Sequence, residues 1–487
     1  MAAPAPRAPS AGPAKGPGTD PRQGAPGSTT PPKRRGTELL MLGFAVLITL
    51  AAQTIVDITV TGSPSPEIAT FGAWFTGLWV VAHLVVRRFA PYADPLLLPC
   101  VAALTGIGLS MIHRLDIAAN ALGESVSSRE DAPTQLLWAT VGMAVFVGVL
   151  LVVRDHRALS RLAYTIGLVG LVLLAIPAVL PSALSEVNGA KIWIRVAGFS
   201  IQPGEFAKIC LVIFFAAYLV DKRDVLALAS RRVLGLEIPR ARDLGPVLVA
   251  WGVSILVLVF ERDLGSSLLL FGIFVVMLYI ATERASWLVI GLLLFAAGGT
   301  LAYQLFGHVR VRVDTWLDPF AYYPDGGGYQ VVQSLFGLGT GGLFGAGLGG
   351  GRPDQVPVAK SDFIAAALGE ELGLFGLVAV VVIYLVLVER GLRTSLVVRD
   401  GFGKLLAAGL AFGVAWQVFV VLGGVTGLLP LTGLTTPFVA YGGSSLVANF
   451  GLVALLVRIS DAARRPAAPP APPAAKLGEA LTEVVKP

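Results

Sequence analysis

Two residues of opposite charge lie three positions apart at the start of an apolar stretch. Glu205 and Lys208 follow Pro203 and open the segment 204–220. Because residues three apart share one face of a helix, we expect the two side chains to pair. Charges in such apolar surroundings are costly and often mark function. The pair either stabilises the start of the helix, or it faces a polar cavity and orients a substrate or a catalytic acid.

Acidic residues also stand at the starts of two further apolar segments. Asp263 precedes one of them, and Asp362 opens the other. An acid in this position can cap a helix, or it can line a polar interior. Glu370 lies about two turns beyond Asp362 and is followed by Glu371. Neighbouring residues on a helix diverge by about 100°, so at most one of the two glutamates can face a given cavity.

A third group of charges lies in the long segment 306–361. Its members near the turn sequence Gly-Gly-Gly-Tyr are Arg310, Arg312, Asp314, Asp318 and Asp325. A carboxylate held against a membrane surface can act as a general base on a hydroxyl group. The arginines can hold a diphosphate, because a guanidinium group matches the geometry of phosphate oxygens. The alternative is that these acids are only solvated.

Several common kinds of catalytic site are not indicated. The four histidines are scattered without metal-ligand spacing, and both cysteines lie inside apolar runs. The stretch 337–351 contains nine glycines, but the Gly-Lys-Ser/Thr of a phosphate-binding P-loop does not follow it. The sequence therefore predicts neither a metal or disulfide framework nor a nucleotide site of its own.

The elements that position these residues are apolar helices. Of the 487 residues, 55% are hydrophobic and 14% are charged, and the mean hydropathy is +0.75. A soluble domain carries about 25% charged residues, and a helix needs about 20 apolar residues to cross a bilayer. We therefore predict an all-α, polytopic transmembrane helical bundle. Its twelve spans lie near 38–59, 68–86, 95–113, 134–153, 162–181, 204–220, 246–260, 264–282, 287–305, 362–388, 405–422 and 444–460.

The distribution of lysine and arginine predicts the orientation of the bundle. The loops and flanks on the side of the two tails hold 22 of these residues, and the opposite loops hold 9. Because positive charge marks the cytoplasmic side, we expect both termini to be cytoplasmic. The net charge of +6 is then mostly a topology signal, and nucleic acid is not an expected partner.

The segments outside the spans differ in composition. Residues 1–37 and 461–487 are rich in proline and alanine, which predicts disordered cytoplasmic tails. The external segment 306–361 contains many aromatic residues and the amphipathic stretch YQVVQSLF, so we predict a large, ordered and partly helical loop. The segment 423–443 mixes apolar residues with glycine, proline and threonine. This composition predicts a re-entrant segment that lines a cavity.

Six segments carry a distinctive set of motifs. They are NGAKIWIRVAGFSIQPGEFAK (188–208), ERDLGSSLLL (261–270), WLDPF…DGGGYQVVQS (316–334), GGLFGAGLG (341–349), SDFIAAALGEELGLFG (361–376) and PLTGLTTPFVAYGGSS (430–445). Together and in this order they resemble the SEDS family (shape, elongation, division and sporulation), whose members include RodA and FtsW. The resemblance covers residues 95–460 and implies a ten-helix core. The two spans within 38–94 are additional to that core, and they favour an elongation member.

The resemblance implies a peptidoglycan glycosyltransferase in the bacterial cell membrane. Such an enzyme polymerises lipid II into glycan strands and releases undecaprenyl diphosphate. The family works with a class B penicillin-binding protein, which crosslinks the product. The residues of this chain that match polar positions of the family's motifs are Glu205, Lys208, Asp263, Asp362, Glu370, Lys191, Trp193, Arg195, Ser444 and Ser445.

One position departs from the family pattern. Six residues before Tyr329, where the family keeps its essential acid, this chain has Tyr323. The nearest acids are Asp325, four residues before Tyr329, and Asp318. A local insertion of one residue favours Asp325 as the catalytic base, with Asp318 as the alternative. A loss of activity is the third interpretation.

Three functions therefore stay open at the level of sequence. In a glycosyltransferase, the loop aspartate removes the proton of the acceptor hydroxyl group, and Arg310, Arg312, Lys191 or a bound divalent ion offsets the charge of the leaving diphosphate. In a lipid II flippase, the buried ion pair and the broken segment 423–443 form the transport path. A non-catalytic scaffold for the crosslinking partner needs neither feature.

Overall fold

The computed structural model describes residues 33–121, 130–187, 189–196, 199–227, 231–233, 236–238, 245–323 and 327–466. Its α-helices are α1 (Arg35–Thr61), α2 (Ile68–Phe89), α3 (Leu97–Ala121), α4 (Asp131–Val152), α5 (Ala158–Arg161), α6 (Ala163–Val179), α7 (Ser182–Ser185), α8 (Pro203–Ala227), α9 (Gly245–Phe260), α10 (Leu264–Thr282), α11 (Ser286–Leu305), α12 (Gly307–Leu317), α13 (Tyr329–Gly341), α14 (Ile364–Val397), α15 (Gly401–Val425) and α16 (Gly443–Arg464). Six short strands form three antiparallel hairpins. They are β1 (Glu186–Val187) with β2 (Ala190–Lys191), β3 (Ile194–Val196) with β4 (Phe199–Ile201), and β5 (Arg231–Val233) with β6 (Leu236–Ile238).

The predicted helical bundle is confirmed. Each of the twelve predicted spans overlaps one helix, namely α1–α4, α6, α8–α11 and α14–α16. Within the described ranges, ten helices are long and apolar enough to cross a membrane, and α6 and α9 are apolar but shorter. The three hairpins were not predicted. Strands of two or three residues are too short to show an alternating pattern.

Both predicted tails include residues that are in fact helical. Residues 35–37 open α1, and residues 461–464 close α16. Arg35 forms an ion pair with Glu38, and Asp461 accepts a hydrogen bond of 2.8 Å from the backbone of the α2–α3 connection. These contacts hold polar residues in the helices. The remaining tail residues, 1–32 and 467–487, lie outside the described part of the chain.

The two ends of the bundle carry different structures. We call the end where α1 begins and α16 finishes the tail face. At this end, Arg464 donates to Asp94 Oδ2 at 2.5 Å. Asp94 lies just before α3. Near the other end of α3, roughly 26 Å away by helical rise, Arg114 donates to the carbonyl oxygen of Gly351 at 2.8 Å. The segment 306–361 therefore lies at the opposite end of the bundle, which we call the loop face.

The centre of the bundle is formed by α3, α15 and α16, which are the most buried of the long apolar helices. α16 packs against α4, α14 packs against α15, and α6 packs against α8. The additional helix α1 packs along α3. Helices of the predicted core therefore surround α15 and α16, and α1 and α2 cover one flank.

The predicted character of two irregular segments is also confirmed where they are described. The long loop is ordered in 306–323 and 327–361, and its predicted amphipathic stretch forms the start of α13. Residues 426–442 are not helical, yet Thr432, Leu434 and Phe438 are all buried. Irregular backbone at this depth needs protein around it. The buried segment 426–442 thus links α15 to α16 through the interior.

Candidate functional site

The expected pair on α8 is present and has a third partner. Lys208 Nζ donates to Glu205 Oε2 at 2.9 Å and to Gln417 Oε1 at 2.8 Å. Both members of the pair are buried. Gln417 lies on α15, and its Nε2 donates to the carbonyl oxygen of Thr435 at 2.9 Å. The ammonium group is therefore bonded on two sides and is tied to the buried segment 426–442.

The cavity beside this pair is small. It has a volume of about 10 Å³ and is lined by Gln202, Gly204, Glu205, Lys208, Ser266 and several leucines. A cavity of this size holds about one water molecule. One of the two interpretations of the sequence was a polar cavity in which the pair orients a substrate. In this conformation the pair adjoins a space that is too small for a sugar.

A second acidic site lies at the turn between α9 and α10. Asp263 caps α10, because its Oδ1 accepts a hydrogen bond of 3.1 Å from the backbone of Ser266. Its Oδ2 is buried and has no hydrogen-bond partner among the described residues. Glu261, two residues earlier, is also buried. Burial, with a smaller contribution from the charge of Asp263, raises the pKa of Glu261 to about 8.

Asp362 and Arg312 complete this acidic site. Burial raises the pKa of Asp362 to about 6; the charge of Arg312 acts to lower it, and the charge of Asp263 acts to raise it. The same Arg312 charge acts on Asp263, whose pKa burial also raises. Arg312 lies on α12, where its Nη1 is 3.4 Å from the carbonyl oxygen of Thr432. One guanidinium group thus stands near the buried carboxyl group of Asp263 and the half-buried carboxyl group of Asp362 at the loop face.

A large apolar cleft borders this group of residues. It has a volume of about 550 Å³ and lies between α9, α10, α11, α12 and residues 429–432. Leu264 and Val313, the chain neighbours of Asp263 and Arg312, line it. Its remaining wall is mostly aromatic and aliphatic, with Trp251, Phe271, Phe295 and Trp316 among the largest side chains. The cleft can therefore accept an apolar chain whose polar end reaches the charged group.

The other charges of α12 are engaged locally. Arg310 is exposed, donates to the carbonyl oxygen of Gln304 at 3.1 Å, and lies over the ring of Tyr303. The hydroxyl group of Tyr303 donates to Asp314 Oδ1 at 2.9 Å. Because Arg310 and Arg312 are two positions apart on a helix, they point in different directions. Arg312 is the arginine that stands at the acidic site.

Of the two loop aspartates, Asp318 is described by the structure and Asp325 is not. Asp318 is exposed, and its Oδ1 accepts a hydrogen bond of 3.1 Å from the backbone of Ala321. Asp325 lies outside the described residues. Tyr323 stacks on Tyr329 with 5.5 Å between ring centroids, and its hydroxyl accepts from Gln333 at 3.2 Å. The position where an acid was expected therefore holds a packed aromatic ring.

The remaining predicted site residues are spread over the loop face. The backbone of Lys191 donates to the carbonyl oxygen of Glu261 at 2.9 Å, which joins β2 to the acidic turn. Trp193 is half-buried, and Arg195 is exposed on β3. Ser444 Oγ accepts from the backbone of Gln202 at 2.9 Å. Ser445 Oγ accepts from Asn449 at 3.2 Å inside α16.

Glu370 and Glu371 hold the glycine-rich segment, which we define as residues 342–351. Glu370 Oε1 accepts a hydrogen bond of 2.6 Å from the backbone of Arg352. Glu371 Oε1 pairs with Arg114 at 2.9 Å, and its Oε2 accepts from the backbone of Gly349 at 2.9 Å. Both glutamates are buried. The structure thus brings them together in a framework for the loop rather than beside Glu205.

Sequence reasoning missed three residues of this arrangement. Gln417 is a polar residue in an apolar helix, and that contrast was the available signal. Glu261 was noted only as the first residue of the motif ERDLGSSLLL. Arg114 lies at a predicted helix end, where a basic residue is ordinary. Its role depends on contacts with Gly351 and Glu371, which are more than 230 positions away in the chain.

Comparison with known proteins identifies the family. The family model described as Cell cycle protein, which represents FtsW, RodA and SpoVE, matches residues 95–465. The chain belongs to this family. Peptidoglycan glycosyltransferase RodA of Mycobacterium bovis is 56% identical over 444 residues, covering 91% of this chain and 94% of that protein. RodA of Mycobacterium leprae is 54% identical over 455 residues, covering 93% and 96%.

The fold agrees with that of a chain in a solved complex. A chain of a peptidoglycan synthase complex, described as coordinating polymerization and crosslinking, superposes with a TM-score of 0.59. The two chains are 24% identical, and the match covers 76% of this chain and 97% of the other. The family model and the mycobacterial relatives confirm the predicted SEDS family. Helices α1 and α2 precede the residues that the family model matches.

Proposed function

We propose that this protein is a peptidoglycan glycosyltransferase that polymerises lipid II into glycan strands. The observation that carries the proposal is the apolar cleft of about 550 Å³ beside Asp263, Asp362 and Arg312. A lipid-linked sugar diphosphate has an apolar chain, an anionic link and a polar sugar, and this site offers a matching surface to each. The relatives named peptidoglycan glycosyltransferase RodA support the same activity.

The proposed reaction joins two sugars and releases a lipid diphosphate. A loop aspartate accepts the proton of the acceptor hydroxyl group, whose oxygen attacks the anomeric carbon of the donor sugar. The bond from that carbon to the diphosphate breaks, and the diphosphate leaves with the bonding electrons. We propose Asp325 as this base, with Asp318 as the alternative, because a one-residue insertion would return Asp325 to the family's position.

Positive charge at the loop face would stabilise the leaving diphosphate. Arg312 is the strongest candidate. Its contacts with main-chain carbonyl oxygens are long, at 3.4 Å and 3.5 Å, so they hold the guanidinium group only weakly. Lys208 already has two acceptors and is a positioning residue in our proposal. Within the described residues, no group of three or more His, Cys, Asp and Glu side chains is arranged to hold a metal ion. A chelator titration tests whether the reaction needs a divalent ion.

The activity test uses purified protein with its crosslinking partner and lipid II. We expect glycan strands from the wild type, none from Asp325→Ala, and strands from Asp318→Ala. Asp221→Ala at an exposed tail-face position is the matched control. Full activity in both loop variants would show that neither aspartate is the base.

A scaffold function is the second candidate, because Tyr323 stacks on Tyr329 where the family has an acid. This candidate predicts normal binding of the partner without any glycan product. A lipid II flippase is less well supported, since the cavity beside Glu205 and Lys208 is only about 10 Å³. Translocation of lipid II in proteoliposomes that contain the protein alone would restore that candidate.

We further propose a class B penicillin-binding protein as the partner and cytoplasmic termini in the bacterial cell membrane. The solved peptidoglycan synthase complex supports the partner, and the lysine and arginine distribution supports the orientation. A cysteine placed at Leu343 on the loop face should react with an impermeant maleimide in intact cells. A cysteine placed at Leu396 near the tail face should not. Both positions are exposed.

A further inference from the structure

The loop-face end of α1 touches the glycine-rich segment directly. A Cβ atom added to Gly349 would lie 2.9 Å from Cγ2 of Val60 and 3.0 Å from Cβ of Thr59. Both distances are shorter than those that real Cβ atoms normally show. The main chain of Gly349 therefore packs directly against α1, with no room for a side chain between them. Helix α1 precedes the family-matched residues 95–465, whereas Gly349 lies within them. The additional helix α1 therefore contacts the large loop.

A buried carboxylate ties this end of α1 to α3. Asp57 is fully buried. Its Oδ2 accepts a hydrogen bond of 3.0 Å from the backbone of Ser65 in the α1–α2 turn, and its Oδ1 lies 2.7 Å from Nε2 of His113. A buried carboxylate is tolerated only when it is paired and hydrogen-bonded. Asp57 thus fixes both the α1–α2 turn and the end of α3.

The residue after His113 makes the next connection. Arg114 is buried, donates from Nε to Glu371 Oε1 at 2.9 Å, and donates from Nη2 to Gly351 O at 2.8 Å. Consecutive residues on a helix point about 100° apart. The end of α3 can therefore present His113 to α1 and Arg114 to α14 and the glycine-rich segment at the same time.

The glycine-rich segment is in turn continuous with the proposed catalytic loop. Backbone amides of Ala346 and Gly347 donate to the carbonyl oxygens of Glu370 and Glu371 at 2.9 Å and 3.0 Å. The segment follows α13, whose first residue, Tyr329, stacks on Tyr323. Helix α13 thus connects the glycine-rich segment to the described part of the long loop that ends at Tyr323.

We propose that the α1–α2 hairpin is a positioning element for the loop-face site, acting through Asp57, His113 and Arg114 on residues 342–351. Asp57 holds the end of α3, and Arg114 holds the main chain of the loop. Thr59 and Val60 pack against the main chain of the glycine-rich segment at Gly349. The effect on catalysis rests on the proposed glycosyltransferase function, whereas the effect on the loop does not.

The test compares Asp57→Ala with Asp57→Asn in the full-length protein. Asparagine keeps an acceptor oxygen for the Ser65 amide and can donate its side-chain NH2 to the unprotonated Nε2 of a neutral His113, whereas alanine removes both hydrogen bonds. We expect amide hydrogen exchange within 345–352 to be about tenfold faster in Asp57→Ala, the effect of losing about 1.4 kcal/mol of local stability. With the partner and lipid II, kcat should fall about tenfold while KM changes less than twofold. Asp57→Asn should restore most of both values.

Two further variants separate positioning from general destabilisation. Val60→Ala trims the contact with Gly349 without touching a charge, and it should accelerate exchange in 345–352 to a smaller extent. Ile55→Ala, on the exposed face of α1, should leave exchange and kinetics unchanged. Unchanged exchange within 345–352 in Asp57→Ala would overturn the proposal, as would faster exchange spread equally over all helices. A wild-type protein that makes no glycan would refute the proposed function, but the exchange data would still decide the role of the hairpin.

Discussion

The ammonium group of Lys208 lies 2.8 Å from Oε1 of Gln417 and so joins α8 to α15. Its other partner, Glu205, lies one turn earlier on α8. Through Gln417 the ion pair also reaches the carbonyl oxygen of Thr435 in the buried segment 426–442. The pair thus belongs to a polar chain that crosses the interior, and its removal should affect three elements together.

We expect Lys208→Met to be more damaging than Glu205→Gln/Lys208→Met. The single variant leaves the Glu205 carboxylate buried without its cation, which costs about 3–5 kcal/mol, whereas the double variant removes both charges. Thermal unfolding of the purified protein in detergent measures the difference. Lys222→Met, at an exposed position near the end of α8, should unfold like the wild type. Equal unfolding temperatures for the single and double variants would argue against a charged pair.

The stability of the protein should fall as the pH rises from about 4.5 to 8. The pKa of Glu261 is about 8 in the folded protein, against an ordinary value of 4.5. Between these values the unfolded chain has lost the proton that the folded chain still holds, so the free energy of unfolding decreases with pH. Below the ordinary value both states are protonated, and the contribution is fully present. Glu261→Gln should flatten this slope.

Unfolding temperatures measured from pH 5 to pH 8 test this dependence. Asp362, whose pKa is raised to about 6 from 3.8, adds a slope of the same sign that ends near pH 6. Glu67→Gln changes an exposed carboxylate and should leave the profile as it is in the wild type. A profile for Glu261→Gln that is as steep as the wild-type profile would contradict a protonated Glu261.

Arg312→Ala should weaken the use of lipid II far more than Arg310→Ala. Arg312 stands near Asp263 and Asp362, whereas Arg310 is exposed and lies over Tyr303. Loss of a charge-assisted contact to the diphosphate would cost about 1.5–3 kcal/mol, or about 10–150-fold in kcat/KM. Steady-state polymerisation with each variant measures it. Equal losses in the two variants would mean that their shared helix, and not Arg312, matters.

Gly299→Leu should raise the KM for lipid II by filling the apolar cleft. Gly299 lines the cleft, and a Cβ at this position would have no atom within 4 Å. The new side chain should therefore enter the cleft without a backbone clash, and we expect a KM increase of about tenfold, or 1.4 kcal/mol. Gly43→Leu on α1 is the control, since its Cβ is equally free of neighbours and it lies far from the cleft in the chain. An unchanged KM would exclude this cleft as the lipid site.

The sequence predicted the helices well because long apolar runs identify membrane spans without any tertiary information. It also predicted the pairing of Glu205 with Lys208, since both lie on one helix. The cap formed by Asp263 was one of two interpretations that the sequence left open. The sequence did not predict that Glu370 and Glu371 would hold the glycine-rich segment. That outcome depends on hydrogen bonds from Gly349 and Arg352, and no spacing rule connects a helix to an irregular loop.

The same limit applies to the acidic site. Asp263 and Asp362 were expected to cap helices or to line a polar interior, and Arg312 was expected to bind phosphate in the long loop, but nothing in the sequence connected the three residues. Their proximity arises from the way α10, α12 and α14 meet around residues 431–433, where Arg312 approaches two main-chain carbonyl oxygens. The substitution of an acid by Tyr323 was visible in the sequence. Its packing against Tyr329 was not.

Helix α14 is interrupted at Gly373, where φ is 69° and the main chain leaves the helical conformation. Beyond this point the amides of Leu374 and Phe375 donate to the carbonyl oxygens of Gly342 and Leu343 at 2.9 Å and 3.2 Å. Because these bonds join main chain to main chain, they do not depend on which side chains stand at 343, 344, 374 or 375. We therefore expect the sequence to vary between species at the outward aromatic pair Phe344 and Phe375. A library of substitutions at these two positions should be tolerated. Gly373 should accept almost no replacement.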